Sequence, residues 1–161
     1  MEIRLARIDD AEAIRQIYNL EVSTSTVTFD LVPRTLTEQV GWLEARSGAH
    51  AVIVATNGDE VVGFASLSPF RDRPAYNSTV ENSVYVRQDQ RGAGVGVALM
   101  TELMDRASQH GFHAVIARIV GDHEASIGLH RRLGFEEVGV EREVGRKFGK
   151  WLDVMVMQRL L

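Results

Sequence analysis

The fold follows from one stretch of sequence, Glu81-Asn-Ser-Val-Tyr-Val-Arg-Gln-Asp-Gln-Arg-Gly-Ala-Gly-Val-Gly-Val-Ala-Leu-Met100. In the predicted strand, Val84 and Val86 point to one face and Glu81, Ser83 and Tyr85 to the other, so its two faces differ. Gly92, Gly94 and Gly96 follow at intervals of two residues. From Val95 onward an apolar residue recurs at every fourth position, so a helix is predicted to start near Gly94.

A strand, a glycine loop and a helix in this order predict an anion site. The start of a helix has unpaired N–H groups and a partial positive charge, and glycines let a ligand approach that backbone closely. Such a site most often holds phosphate. The Walker pattern is excluded because no Gly-Lys-Ser/Thr follows, and the dinucleotide pattern is excluded because Val97 occupies the third glycine position. The pattern that fits is Arg91-x-x-Gly94-x-Gly96.

The composition restricts the class of protein. With 161 residues, 45% of them apolar and 25% charged, the chain is expected to form one soluble domain over residues 1–161. A net charge of −4 and the lack of a basic run argue against nucleic-acid binding. No apolar run is long enough to span a membrane, and no signal peptide is visible. The histidines lack the spacing of metal ligands, so no metal site is expected. The absence of cysteine fits a cytoplasmic protein.

The elements expected along the chain are a strand, two helices, three strands, a helix, a strand, a helix and two strands. Asp9 with Glu12 predicts the N-cap of the first helix, which is expected to end before the polar run at Ser23. Thr35 and Glu38 predict a capping box for the second helix. The last two strands are expected to flank a turn over residues 145–150. The order indicates an α/β fold with a mixed sheet.

The glycine loop and this element order resemble the GCN5-related N-acetyltransferase (GNAT) family. In that family Arg-x-x-Gly-x-Gly forms the pyrophosphate loop, and the last helix often ends with a tyrosine, a few residues and Gly-Phe. Here Gly134-Phe135 has that place and His130 stands where many members carry the tyrosine. Five further segments resemble the phosphinothricin acetyltransferase branch, which includes enzymes that acetylate methionine sulfoximine and methionine sulfone. These segments are 24–29, 69–76, 79–86, 129–130 and 144–153.

The resemblance implies a GNAT fold of about seven strands and about four helices that binds acetyl-coenzyme A (acetyl-CoA). The pyrophosphate is expected on the glycine loop and the pantetheine arm along the central strand, with the backbone of Val86 as a donor to the thioester carbonyl. His123 stands where many members have an asparagine that contacts this arm. The expected cofactor-binding residues are Val84, Val86, Arg91, Gly92, Gly94, Val95, Gly96, Val97, Ala98 and His123.

The resemblance also implies that Glu81 is the general base, although a lone carboxylate in a strand is more often solvent-facing. A usual glutamate pKa of about 4.3 is low for this role, and burial or a relaying water would be needed. His130 is a candidate general acid with a usual pKa of about 6.5, and packing at the edge of the site is an equal alternative.

Phe29, Arg71, Tyr76 and Lys147 are expected by resemblance to bind the acceptor, a small-molecule amine. Phe29 as a core aromatic and Lys147 as a surface cation are the competing interpretations. The segment 146–151 puts Phe148 and Trp151 beside cations, which is typical of an interface and predicts a homodimer.

The sequence therefore predicts an acetyl-CoA-dependent N-acetyltransferase of amino-acid analogues such as phosphinothricin or methionine sulfoximine. Two alternatives stay open. The same fold could acetylate a polyamine, an aminoglycoside or a protein N-terminus, or the chain could be a non-catalytic acyl-CoA-binding module.

Overall fold

The structure is a computed structural model that describes residues 1–46 and 48–161. These residues form one seven-stranded sheet and four α-helices. The strands are β1 (Glu2–Leu5), β2 (Val52–Asn57), β3 (Glu60–Pro69), β4 (Thr79–Val86), β5 (Ala114–Val120), β6 (Glu136–Lys147) and β7 (Lys150–Leu160). The helices are α1 (Ala11–Thr24), α2 (Leu36–Glu44), α3 (Val95–Gln109) and α4 (Glu124–Arg132). This is the mixed α/β architecture that the sequence predicts.

The sheet has the order β1-β2-β3-β4-β5-β7-β6. Neighbouring strands are antiparallel except β4 and β5, which are parallel and joined through α3. A parallel pair requires such a crossover, because a short hairpin joins only antiparallel strands. The glycine loop therefore lies at the end of a central strand.

The strands β4 and β5 separate beyond a short paired region. Their pairing covers residues 79–81 and 114–116 and ends at Glu81 and Ile116. Farther along, β4 stays paired with β3 up to Val86, and β5 stays paired with β7 up to Val120. The sheet thus divides into two halves that diverge from the Glu81–Ile116 pair and leave a gap between them.

Side-chain alternation along the strands builds two cores, one on each face of the sheet. One core contains the apolar side of α3, including the fully buried Leu99 and Leu103, and it also contains Val115 and Ala117 of β5. The other core packs α1 and α2 against β2 and β3, with Tyr85 of β4 at its border. The sequence prediction that β4 has two different faces is confirmed. Among the described residues, no helix is both long and apolar enough to span a membrane.

The local predictions at helix ends are partly right. The capping box of α2 is confirmed, since Glu38 N–H donates to Thr35 Oγ1 over 3.2 Å and Thr35 N–H donates to Glu38 Oε2 over 2.7 Å. The choice of Asp9 as the N-cap of α1 is wrong. Asp10 is the residue that precedes the helix, but its side chain does not cap it. The Asp10 carboxylate accepts hydrogen bonds from the N–H of Arg7 and from both terminal guanidinium nitrogens of Arg4.

Two predicted boundaries also shift. Helix α1 continues through Thr24, whose hydroxyl donates to the carbonyl of Leu20, so the polar run does not end it at Ser23. The last hairpin turn is shorter than expected, because β6 extends to Lys147 and β7 starts at Lys150. Phe148 and Gly149 form the turn with φ values of 52° and 73°, the left-handed pair that matches the twist of a two-residue hairpin.

Candidate active site

A cleft of about 560 Å³ opens where β4 and β5 diverge. Its walls come from the ends of β4 and β5, the glycine loop, the start of α3 and one side of α4. Nine of the predicted cofactor-binding residues line it: Val84, Val86, Arg91, Gly92, Gly94, Val95, Gly96, Val97 and His123.

The glycine loop presents free backbone donors to the cleft. Gly92 and Gly94 have φ values of 77° and 83°, a conformation that side chains disfavour, and Gly94 is the N-cap of α3. The first N–H of an α-helix to find a partner within the helix lies four residues after the N-cap, and here Ala98 donates to the carbonyl of Gly94 over 3.0 Å. The N–H groups of the three residues before Ala98 have no such partner. They leave unpaired donors at the end of the cleft where the sequence predicts an anion site.

This hydrogen bond overturns one prediction. Ala98 was expected to offer its amide to the cofactor, but that amide is already used inside α3 and Ala98 does not line the cleft. The prediction counted one residue too many among those whose amides are free at the start of the helix.

The edge of β4 supplies further backbone groups. Arg87 N–H donates to the carbonyl of Val62 on β3. Because bonding directions alternate along an antiparallel pair, the N–H groups of Val84 and Val86 point away from β3, toward the gap. Beyond Glu81 no strand residue of β5 pairs with them. The backbone of Val86 thus has the orientation that a donor to a bound carbonyl requires.

Arg91 connects the glycine loop to α1. One of its Nη atoms lies 2.5 Å from Oε1 of the buried Glu21, and its Nε donates to the carbonyl of Val86 over 3.3 Å. The second Glu21 oxygen accepts the hydroxyl of Ser25 over 2.6 Å. Arg91 lines the cleft, yet its guanidinium mainly anchors the loop.

His123 lies at the N-terminus of α4, where its N–H donates to the carbonyl of Val120. Burial lowers the pKa of its imidazole, and the nearby positive charge of Arg91 adds to this effect. The ring is therefore favoured in its neutral form at the wall of the cleft.

Glu81 occupies the last paired position before the gap, opposite Ile116. It is half-buried and shares the face of β4 that carries Tyr85, whereas Asn82 and Val84 belong to the opposite face. Burial raises the pKa of its carboxyl, the positive charge of Arg118 opposes this, and Glu141 adds to it. Raising the pKa of the carboxyl group brings it closer to the pKa of the amine from which the carboxylate must take a proton.

His130 is 2% exposed and lines the cleft from α4. Its Nδ1 lies 2.8 Å from the carbonyl of Ser126, so Nδ1 carries the proton. Its Nε2 lies 2.9 Å from Nδ2 of Asn82 and therefore accepts a hydrogen bond. Burial lowers the pKa of this imidazole. A neutral ring with both nitrogens engaged has no proton to offer the cleft, so the geometry favours a positioning role over that of a general acid.

Asn82 is a residue that the sequence reasoning missed. It lines the cleft, it is 6% exposed, and among the described residues its Oδ1 has no hydrogen-bond partner. Leaving a buried acceptor unpaired costs about 1–3 kcal/mol, so such an atom is typical of a place where a ligand supplies the donor. His130 fixes the orientation of this amide.

The four predicted acceptor-binding residues fall into two pairs, and all four lie outside the lining of the cleft. Lys147 is buried and donates to the carbonyl of Thr28 over 2.9 Å. The ring of Phe29 covers Gly145 so closely that a Cβ there would lie 2.4 Å from it. Because Lys147 is buried, its interpretation as a surface cation is wrong. Phe29 is 40% exposed, so its interpretation as a core residue is also wrong.

The second pair lies in the connection between β3 and β4. The guanidinium of Arg71 lies 3.4 Å from the hydroxyl of Tyr76 and 4.7 Å from the centre of the Phe70 ring. Arg71 thus contacts Tyr76, and Lys147 contacts the loop that contains Phe29. The four residues do not form one cluster.

Comparisons with known proteins agree with this architecture. A family model described as an acetyltransferase (GNAT) domain matches residues 3–156. The chain is 44% identical over 158 residues to the L-methionine sulfoximine/L-methionine sulfone acetyltransferase of Pseudomonas paraeruginosa, covering 97% of this chain and 92% of that protein.

Two solved structures superpose closely. A phosphinothricin acetyltransferase from Sinorhizobium meliloti in complex with acetyl-CoA has a TM-score of 0.96 at 38% identity, covering 99% of this chain and 88% of that one. A ribosomal-protein-alanine N-acetyltransferase from Brucella melitensis has a TM-score of 0.98 at 40% identity, covering 100% of both chains.

The neutral state of His130 is testable by nuclear magnetic resonance on protein labelled with ¹⁵N at histidine. We expect the Nδ1–H tautomer, with a pKa below the usual value of about 6.5, because protonation at Nε2 would break the bond from Asn82. The unfolded chain then takes up this proton first, so the free energy of unfolding should fall as the pH drops below about 6.5.

His123 acts in the same direction, so the pH slope must be compared between the wild type and His130→Gln, which also assigns the signal. An Nε2–H tautomer, or a His130 pKa at or above the usual value, would contradict this description of the site.

Proposed function

The chain belongs to the GNAT family of acetyltransferases and is an acetyl-CoA-dependent N-acetyltransferase; we propose that it acetylates the α-amine of a small amino-acid analogue. The analogue is of the phosphinothricin, methionine sulfoximine or methionine sulfone type, which the names of the relatives suggest. We further propose direct transfer with Glu81 as the general base. The observation that carries this is the place of Glu81 at the last paired position of β4 and β5, where the gap begins.

The residues of the cleft fit acetyl-CoA. The free amides at Val95, Gly96 and Val97 suit a pyrophosphate, and the unpaired Oδ1 of Asn82 suits an amide N–H of a pantetheine arm. When bound, acetyl-CoA supplies an activated acyl carbon and a thiolate leaving group.

The protein's own groups then act on the two reactants. The Glu81 carboxylate, with its raised pKa, takes a proton from the acceptor amine, either directly or through a water. The N–H of Val86 faces the gap and donates to the carbonyl oxygen as negative charge develops there. The chain has no cysteine, so it offers no thiol to carry the acetyl group between donor and acceptor.

A protein N-terminus is the second candidate acceptor. It is favoured by the similarity to the ribosomal-protein-alanine N-acetyltransferase. A thiol-release assay with methionine sulfone, phosphinothricin, a polyamine, an aminoglycoside and an alanine-initiated peptide separates these acceptors. If the protein binds acetyl-CoA but releases no thiol with any of these acceptors, the result would favour a non-catalytic binding module.

Replacing Glu81 by Gln keeps the shape and removes the base. We expect kcat to fall by roughly 10²–10⁴, with little change in the affinity for acetyl-CoA. In the wild type, kcat/KM should rise with pH through a pKa above the usual glutamate value, and this step should vanish in Glu81→Gln. Turnover within a few-fold of the wild type across neutral pH would assign the base to another group.

The glycine loop provides a matched pair of variants. Gly94→Glu places a carboxylate among the free amides of α3, while Gly111→Glu imposes the same left-handed strain, at φ 81°, beyond the opposite end of that helix. We expect calorimetry to show roughly a 10–100-fold weaker affinity for acetyl-CoA in Gly94→Glu only. Equal affinities in the two folded variants would contradict a phosphate site at this loop.

We propose that the chain forms a homodimer through the hairpin of β6 and β7. Phe148 is 58% and Trp151 59% exposed, and Val140 and Val144 of β6 are exposed as well. Apolar side chains grouped in this way are typical of an interface.

Sedimentation velocity at micromolar concentration should therefore give about twice the 17.9 kDa mass of one chain. Trp151→Arg should dissociate the dimer, whereas Leu160→Arg, an equally exposed site at the far end of β7, should not. A monomer with full activity would contradict the proposal.

A further inference from the structure

Arg118 interrupts an otherwise apolar strand. All other residues of β5 are buried, and its neighbours Ala117 and Ile119 pack into the core beneath α3. Alternation therefore places Arg118 on the opposite face of the sheet. Ile116 shares that face and is in register with Glu81, so Glu81 and Arg118 lie on the same face.

The position of Arg118 relative to the gap is informative. On β5 it is the first residue of this face after the last pair with β4, and it lines the cleft. Glu81 thus borders the gap at its closed end, and the guanidinium of Arg118 borders it from the side of β5. An amine that reaches Glu81 brings its neighbouring substituents close to Arg118.

The guanidinium already holds a carboxylate in the planar geometry that recognises one. Its Nη1 and Nη2 lie 3.0 and 2.6 Å from the two oxygens of Glu141 on β6. The two side chains are 35% and 37% exposed. A pair this accessible to water contributes little to stability, so a carboxylate from outside can compete for the guanidinium at little cost.

Glu141 is held at a defined place. The register of β6 and β7 shifts directly after it, between Glu141 and Gly145. Within this bulge Glu143 has a φ of 53°, and its N–H donates to the Asp153 carboxylate over 2.8 Å. The bulge fixes where β6 bends and therefore where Glu141 meets Arg118.

We propose that Arg118 binds the carboxylate of an α-amino-acid acceptor and that Glu141 is its partner while the acceptor is absent. This rests on the proposed function and narrows its substrate class. In an α-amino acid one carbon separates the amine from the carboxylate, which matches a base and a guanidinium on the two sides of one gap. Polyamines and aminoglycosides would instead bring positive charge to Arg118, and a protein N-terminus has an amide in place of the carboxylate.

The test compares two acceptors, L-methionine sulfone and the amine that remains when its carboxylate is removed. Glu81 is the proposed base for both acceptors. Any effect of a variant on the base therefore appears with both of them and cancels in the ratio of their kcat/KM values. Arg118→Ala should raise the KM for the amino acid roughly 10–100-fold, the loss expected for a charge-assisted carboxylate pair, with kcat little changed. The KM for the decarboxylated amine should stay within a few-fold.

Three further variants separate binding from a structural role. Arg118→Lys keeps the charge without the planar geometry and should give an intermediate KM. Glu141→Gln removes the competing carboxylate and should lower the KM or leave it unchanged. Arg106→Ala is the matched control, because Arg106 pairs with Glu102 on α3, away from the cleft. Affinity for acetyl-CoA should be the same in all of them.

The outcomes distinguish the two proposals. If the wild type acetylates none of methionine sulfone, methionine sulfoximine and phosphinothricin, the proposed function fails. If it acetylates methionine sulfone and Arg118→Ala leaves the ratio unchanged, only the role of Arg118 is overturned. A rise in KM in Glu141→Gln as large as in Arg118→Ala would also overturn it, since the pair would then be structural. Calorimetry of methionine sulfone with the CoA-bound protein gives the same comparison without turnover.

Discussion

The end of pairing between β4 and β5 is the constraint on which the site depends. Within a sheet each strand satisfies the backbone groups of its neighbours, and beyond Glu81 and Ile116 these two strands no longer do so. The unpaired edge of β4 needs another partner, and the cleft leaves room for one. The parallel pair forms because α3 carries the chain across, and the start of the same helix closes the cleft with free amides. One topological feature thus places unpaired backbone donors at both ends of the cleft.

The alternation of side chains along β4 separates two tasks. Val84, Val86 and Asn82 face α3 and α4, where the cofactor is expected, while Glu81 and Tyr85 face the side of α1 and α2. The gap connects the two faces of the sheet. An acceptor amine can therefore meet the thioester there while its remaining atoms stay on the face of Glu81. A shift of β4 by one residue would exchange the two faces, which explains why the register must be held on both sides of the gap.

Much of the fold was predictable because its signals are local. The alternation of β4, the glycines before α3 and the capping box of Thr35 and Glu38 each lie within a few residues. The features that were missed join distant parts of the chain. Glu21 contacts Arg91 across 70 positions, and Asn82 contacts His130 across 48. Two signals were nevertheless present: Glu21 falls on the buried stripe of α1, and Arg118 is the one charge in an apolar strand.

The charges around the gap also explain how one carboxylate can be a base while another is only a partner. Glu81 lacks a direct ion pair among the described residues, and burial raises its pKa, so it holds a proton more readily than an exposed glutamate. Glu141 has both oxygens on Arg118, and its side chain is 37% exposed. An acceptor carboxylate that displaced Glu141 would keep the positive charge of Arg118 neutralised near Glu81. Binding of the acceptor would then preserve the raised pKa that proton removal requires.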